Sequence, residues 1–221
     1  VQDVATGRYR ADLVVGSNAF SKSLSIESIQ PNRLDVRLEA VEAGMLEVKN
    51  QGAIARLTAE WLTGAKAPHL HYEIKGALVR DVQAFKEAWP RYAFFNDMQE
   101  VSQLGDEVLA EGELNGLGQT IATLKVGNLE AQPGPLRFKS YTRVYEPSGR
   151  FSVATHAIPL HPHAAYVGIQ APEEGEQGWL NTSESHDFGL VRVDPQGRLA
   201  PGRVKVDVYG LTWNWWWSRR N

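Results

Sequence analysis

Short stretches in which apolar and polar residues alternate recur along almost the whole chain. This alternation constrains the fold more than any other feature. It is seen at residues 9–15, 23–29, 33–38 and 54–62, and again at 70–74, 119–126, 136–145, 152–159, 188–193 and 204–211. Successive side chains of a strand point to opposite faces, so a period of two marks strands with one buried face. Turn-forming residues separate the stretches: Gln30-Pro31-Asn32, Asn50-Gln51-Gly52, Gln132-Pro133-Gly134-Pro135, Pro147-Ser148-Gly149 and Asp194-Pro195-Gln196-Gly197. Short strands with this punctuation predict antiparallel β-sandwiches. A helical turn is expected only over 79–88, ended by Pro90. The stretch 81–113 is aromatic-rich without a clear period, and it reads as a crossing connection between sheets. The segment 112–118 reads as a loop before the next strand.

The chain has 221 residues, 43% hydrophobic and 22% charged, enough for one large or two ordinary domains. Two sandwiches fit that length. The joint is expected at His161-Pro162-His163, because a proline cannot continue a central strand. The predicted plan is therefore a tail or arm of a preceding module at 1–28, a sandwich at 29–160 and a second sandwich at 161–221, which the chain need not complete. Both ends of the sequence read as cuts from a longer protein. Within the first sandwich, Trp61 shares its alternation with Leu57 and Ala59 and is expected to be buried.

Several function classes find no support. A net charge of -3 with no basic stripe argues against a nucleic-acid partner. No apolar run approaches the roughly 20 residues of a membrane-spanning helix, so membrane attachment would need an anchor outside this chain. Cysteine is absent, which removes disulfides, zinc-thiolate sites and thiol nucleophiles.

His69-x-His71 puts two imidazoles on one face of a strand, but a metal site needs a third ligand from a neighbouring strand. His161-Pro162-His163 invites the same reading, and the proline there marks a joint more readily than a site. Ser183-Glu184-Ser185-His186-Asp187 holds the residue types of a catalytic triad. Adjacent residues on one loop cannot converge as a triad does, so turn chemistry is expected. No phosphate loop, nucleophile elbow or His-Glu-x-x-His motif is present. The residues thus point to no catalytic group, no cofactor and no metal. Phe85, Trp89, Tyr92, Phe94 and Phe95 are read as packing residues, with sugar stacking as the rival use.

The end of the chain is the strongest interaction signal. Leu211, Trp213, Trp215 and Trp217 fall on one face of a strand, and Trp216 points the other way. Such a ribbon needs a cover, supplied by an adjacent module or a second copy of the chain.

Four motifs, in order, resemble bacterial alpha-2-macroglobulins. They are Phe20-x-Lys22-x-Leu24-x-Ile26-Glu27 leading to Pro31-Asn32-Arg33-Leu34, then Trp61-Leu62-Thr63-Gly64-Ala65-Lys66-Ala67, then Glu146-Pro147-Ser148-Gly149-Arg150, then His161-Pro162 leading to Tyr166-Val167-Gly168. Lys66 stands where that family usually has proline. The Trp-rich end is similar to the run just before that family's bait region. The resemblance implies an all-β chain of tandem immunoglobulin-like, macroglobulin-type antiparallel β-sandwiches. It implies a periplasmic protein, usually anchored to the inner membrane, that traps target proteases after a bait loop is cut. Neighbouring macroglobulin domains would be the direct partners of this piece. The family's thioester motif, Cys-x-Glu-Gln, is not in the chain. A branch of the family without it implies an alternative, an interaction scaffold among other envelope proteins. A carbohydrate-binding module is the second alternative. No bait or thioester residue carries over, so the implied role is non-enzymatic.

Overall fold

A computed structural model describes residues 7–16, 18–26, 31–41, 44–49, 52–96, 99–101, 107–172, 180–181 and 183–210. Its strands are β1 (Gly7–Val15), β2 (Asn18–Ile26), β3 (Leu34–Ala40), β4 (Glu47–Lys49), β5 (Gly52–Trp61) and β6 (His71–Arg80). They continue as β7 (Ala110–Glu113), β8 (Gln119–Leu124), β9 (Leu136–Tyr145), β10 (Phe151–Leu160), β11 (Tyr166–Gln170) and β12 (Gly189–Val193). Every ladder is antiparallel, as the alternation predicts. The hairpin β1–β2 stands as its own two-stranded sheet.

The first complete module is a sandwich of two four-stranded sheets. One has β5 at its centre, flanked by β8 on one side and by β3 then β4 on the other. The register shows this succession, since Ala40 faces Ala55 and Glu47 faces Ile54. The second sheet runs β10-β9-β6-β7. Leu34, Val36 and Leu38 alternate inward from β3, and Ala55, Leu57 and Ala59 do so from β5. Leu136, Phe138, Val144, Ile74 and Leu78 meet them from the other sheet. Removing this apolar area from water at about 25 cal/mol per Å² is the main stabilising term.

Side chains close the sandwich where the sheets meet at β3 and β10. Asn32 acts as an extra strand residue, donating from Nδ2 to the Val153 carbonyl at 2.7 Å and accepting from the Val153 amide at 3.0 Å. Ser152 Oγ accepts from the amides of Arg33 and Leu34, and is itself buried. These bonds satisfy polar backbone groups that would otherwise be costly at a sheet edge. At the opposite edge, a turn from Asn115 to Gly118 joins β7 to β8. Gly118 has φ +73° there, and a Cβ would lie 2.5 Å from the Ala59 carbonyl oxygen. Gly76 on β6 serves packing, since an added Cβ would fall 2.4 Å from the Phe138 ring.

The structure departs from the sequence expectations in four places. The helical turn expected at 79–88 does not form. Val79 and Arg80 complete β6, and a chain of tight turns follows, because Phe85 takes φ +63°, which no right-handed helix accommodates. Residues 110–113, expected as part of a connection, form the edge strand β7. Its four residues are too short for period-two alternation to stand out. Residues 204–210 are not a strand; Val206 and Val208 are 59% and 93% exposed, so their alternation has no buried side. Trp61 is half-buried. Leu57 and Ala59 are fully buried as expected, but Trp61 closes the strand at the sandwich rim, where its ring lies under the Arg33 guanidinium at 5.3 Å. After β10, the described residues form one further hairpin, β11–β12.

Candidate interaction site

The crossing segment after β6 builds the joint between the modules. Arg137 from β9 fixes its start. Its Nε and Nη2 both donate to Asp81 Oδ2, at 3.1 and 2.9 Å, with Asp81 only 5% exposed. Asp81 Oδ1 accepts from the Gln83 amide, and the Asp81 amide donates to the Pro135 carbonyl. A buried carboxylate needs this degree of pairing. From this anchor the segment turns outward and presents Phe85, Trp89, Tyr92 and Phe94 away from the first core.

These aromatics form a second core with the hairpin. Phe94, Tyr166, Val191 and Val193 are buried together, with Phe85, Trp89 and Tyr92 packed against them. Phe85 meets Phe94 edge-on at 4.8 Å and lies 5.4 Å from Tyr166; Trp89 meets Tyr92 edge-on at 5.5 Å. Such pairs contribute about 0.5–1.5 kcal/mol each beyond their area burial. Gly168 admits the Phe94 ring, since a Cβ there would sit 2.6 Å from it. Backbone pairing joins the modules too. The Ala93 amide donates to the Ile169 carbonyl at 2.8 Å, and the Ile169 amide returns the bond at 2.9 Å. Trp89 Nε1 donates to the Gly197 carbonyl beyond β12 at 2.9 Å.

The joint histidines separate rather than share a ligand. His163 donates a ring N–H to the buried Gln132's carbonyl at 2.9 Å, and its amide donates to the Tyr166 hydroxyl. His161 lies between Phe85 and Tyr166, with Nδ1 buried and unpartnered. Burial pushes its pKa down, against the pull of Asp81. Burial also raises the pKa of the Tyr166 hydroxyl.

The other sequence candidates are placed as follows. His69 precedes β6 with φ +59° and pairs with Glu113 at 3.1 Å. His71 instead faces Glu73 and Glu111, so His69 and His71 do not act together. The 183–187 stretch is turn chemistry. Asn181 Oδ1 accepts from the Ser183 amide and hydroxyl, and the His186 ring donates to the Asn181 carbonyl, so serine and histidine are not joined. Phe95 lies under the Arg80 guanidinium at 5.4 Å. Leu211, Trp213, Trp215, Trp216 and Trp217 fall outside the described residues. What sequence reasoning missed was the direction in which the crossing aromatics pack. A strand Tyr166-Val167-Gly168-Ile169 with glycine opposite an aromatic was the signal available.

An all-β chain in which one sandwich hands an aromatic core to the start of the next defines a tandem macroglobulin-type module pair. The chain belongs to the bacterial alpha-2-macroglobulin family. The profile described as "Bacterial Alpha-2-macroglobulin MG5 domain" matches residues 32–162, and "Bacterial macroglobulin domain 6" matches 168–221. Among solved structures, Escherichia coli alpha-2-macroglobulin activated by porcine elastase is similar with TM-score 0.52 and 19% identity, over 87% of this chain and 17% of that one. Salmonella alpha-2-macroglobulin reacted with methylamine gives 0.54 and 17%, over 89% of this chain and 13% of that one. Trypsin-activated Escherichia coli alpha-2-macroglobulin gives 0.53 and 17%, over 87% and 14%. At these identities the likeness bears on the fold alone, and the chain spans only 13% to 17% of those relatives' length. No curated protein sequence matches the chain.

Proposed function

We propose that this chain is a non-enzymatic positioning element of a protease-trapping protein, one that binds target proteases through the whole molecule and not through this piece. The observation that supports it most is the joint. The first sandwich does not end in a flexible linker; it lends Phe85, Trp89, Tyr92 and Phe94 to the core of the next module. A trap must transmit the cutting of a bait into a change of enclosure, and modules coupled by core and backbone bonds can transmit it. Escherichia coli alpha-2-macroglobulin, of the same fold, is activated by elastase and by trypsin. The module plan we adopt is 1–28, 29–160 and 161–221. The compartment we propose is the periplasm, with an inner-membrane anchor elsewhere in the parent protein.

The test uses the parent protein. It is incubated with trypsin or elastase, and residual activity is read on a small chromogenic peptide and on a large protein substrate. Trapping predicts retained cleavage of the small substrate and loss of cleavage of the large one. Unchanged cleavage of both contradicts trapping and leaves the scaffold reading, in which the parent protein binds other envelope proteins.

A further inference from the structure

We propose that His71, Glu73 and Glu111 form a binding site for a divalent transition-metal ion, best suited to zinc, on the outward face of the β6–β7 ladder. Tyr72 and Ile74 are buried, so His71 and Glu73, which alternate with them, point to the opposite face. The antiparallel register places Glu111 directly across from Glu73, and Glu113 across from His71. One donor atom from each of His71, Glu73 and Glu111 lies within 4.8 Å of the other two. Zinc–ligand bonds of about 2.0–2.2 Å bring donors a little closer together than this. Rotation of these solvent-facing side chains closes the gap while the backbone register stays fixed.

Two further observations point to a cation. The first is the pairing of Glu73 with Glu111. Like charges directly opposite on a sheet are destabilising, and among the described residues neither carboxylate has an ion pair with a lysine or arginine. Arg143, opposite Glu73 on β9, lies over the rings of Tyr141 and Phe151 and beside the Tyr145 hydroxyl, without a direct ion pair to Glu73. The second is Tyr145. Its hydroxyl donates to Glu73 Oε2 at 2.7 Å, while its ring lies 5.7 Å from the His71 imidazole. Tyr145 thus orients one of the three donors by a hydrogen bond, the kind of outer support that metal ligands use, and packs beside a second. A mixed set of one imidazole and two carboxylates suits zinc and its neighbours in the first transition row better than magnesium, which prefers an all-oxygen octahedron. Water would fill the remaining positions. Bound there, the ion would clip the short edge strand β7 to β6.

The test is isothermal titration of zinc chloride into the untagged, chelator-treated chain, with amide hydrogen exchange read in parallel. The expected result is one zinc per chain with affinity on the order of micromolar, not competed by magnesium chloride, and slower exchange at β7. His71→Ala and Glu111→Gln each weaken binding by at least about tenfold, and Tyr145→Phe by less, since outer-shell changes act indirectly. His69→Ala and His163→Ala leave it unchanged. All of these side chains but His163 are on the outer face, and circular dichroism checks that each variant keeps its fold. Absence of saturable binding overturns the proposal. So does zinc binding that survives both His71→Ala and Glu111→Gln.

Discussion

Trp89 donates its indole N–H to the carbonyl of Gly197, 108 positions further along the chain, and so ties the crossing segment of the first module to the turn after β12. The Ala93–Ile169 backbone pair joins the same two parts of the chain. Trp89→Phe keeps a ring in the second core but removes the donor. Hydrogen exchange should then speed up at 189–198 while β6 and β9 stay protected, with a cost of about 0.5–1.5 kcal/mol for the lost bond. Uniform loss of protection in both modules would show that Trp89 belongs to the first core instead.

Asp81→Asn should cost about 1.5–3 kcal/mol, the range for hydrogen bonds to charged groups. The Arg137 guanidinium would lose its charged partner at the base of the crossing segment. Chemical denaturation of the variant measures it, and a midpoint unchanged from the parent sequence would mean the pair contributes nothing net.

Leu57→Ala should destabilise the first sandwich by about 2–5 kcal/mol, because Leu57 is fully buried at the centre of β5. Trp61→Ala should cost less, about 1–2 kcal/mol, since part of its ring already faces water and the stacked Arg33 contributes only about 0.5–1 kcal/mol. Thermal melts of the two variants check the order. A larger shift for Trp61→Ala would place the rim tryptophan in the core.

Gly76→Ala places a methyl group against Phe138 and should cost about 1–3 kcal/mol by overpacking. Gly44→Ala serves as the comparison in the same denaturation series, since no atom lies near its added carbon, although its φ of +69° carries its own strain. Equal, small effects at both positions would contradict the packing at Phe138.

Acid should weaken the fold through two histidines. Burial lowers the pKa of His161 and of His156, and neither Nδ1 has a partner. His156 Nε2 also accepts from the Leu38 amide, which requires the neutral ring. The folded state therefore binds fewer protons than the unfolded chain just below the ordinary histidine pKa of about 6.5. The stability is fully present above that pH and is lost as pH falls toward the lowered folded values. Asp81 near His161, and Glu39 and Asp35 near His156, oppose the shift. His161→Phe should flatten the decline between about pH 6.5 and 5. A variant with the full decline would exclude His161 as a source.

Most of the first sandwich was legible in the sequence because its strands bury one face only. β9 was expected at 136–145 and forms over Leu136–Tyr145, where every inward residue is buried and the outward ones are half-buried or exposed. The same rule fails where burial does not alternate. β7 is too short to show a period, and β4 has only three residues. The valines at 204, 206 and 208 alternate without a core to enter. Phe85 defeats the expected helical turn through a backbone angle that no pattern of side chains announces. The aromatic contact with the hairpin was not legible: the segment that makes it lies some seventy residues earlier in the chain, and only the fold brings Phe94 onto Gly168.

The central claim is that the hairpin β11–β12 is held as a fixed extension of the first sandwich. The chain has no native cysteine, so a labelled pair is unambiguous. Ser148→Cys in the exposed turn before β10 and Val167→Cys on the outward face of β11 would carry spin labels for a pulsed dipolar distance measurement. A single narrow distance distribution is predicted, broadening when Trp89 and Phe94 are both replaced by alanine. A broad distribution in the otherwise unaltered chain would contradict the account, because the aromatic joint would then not hold the two modules in one arrangement.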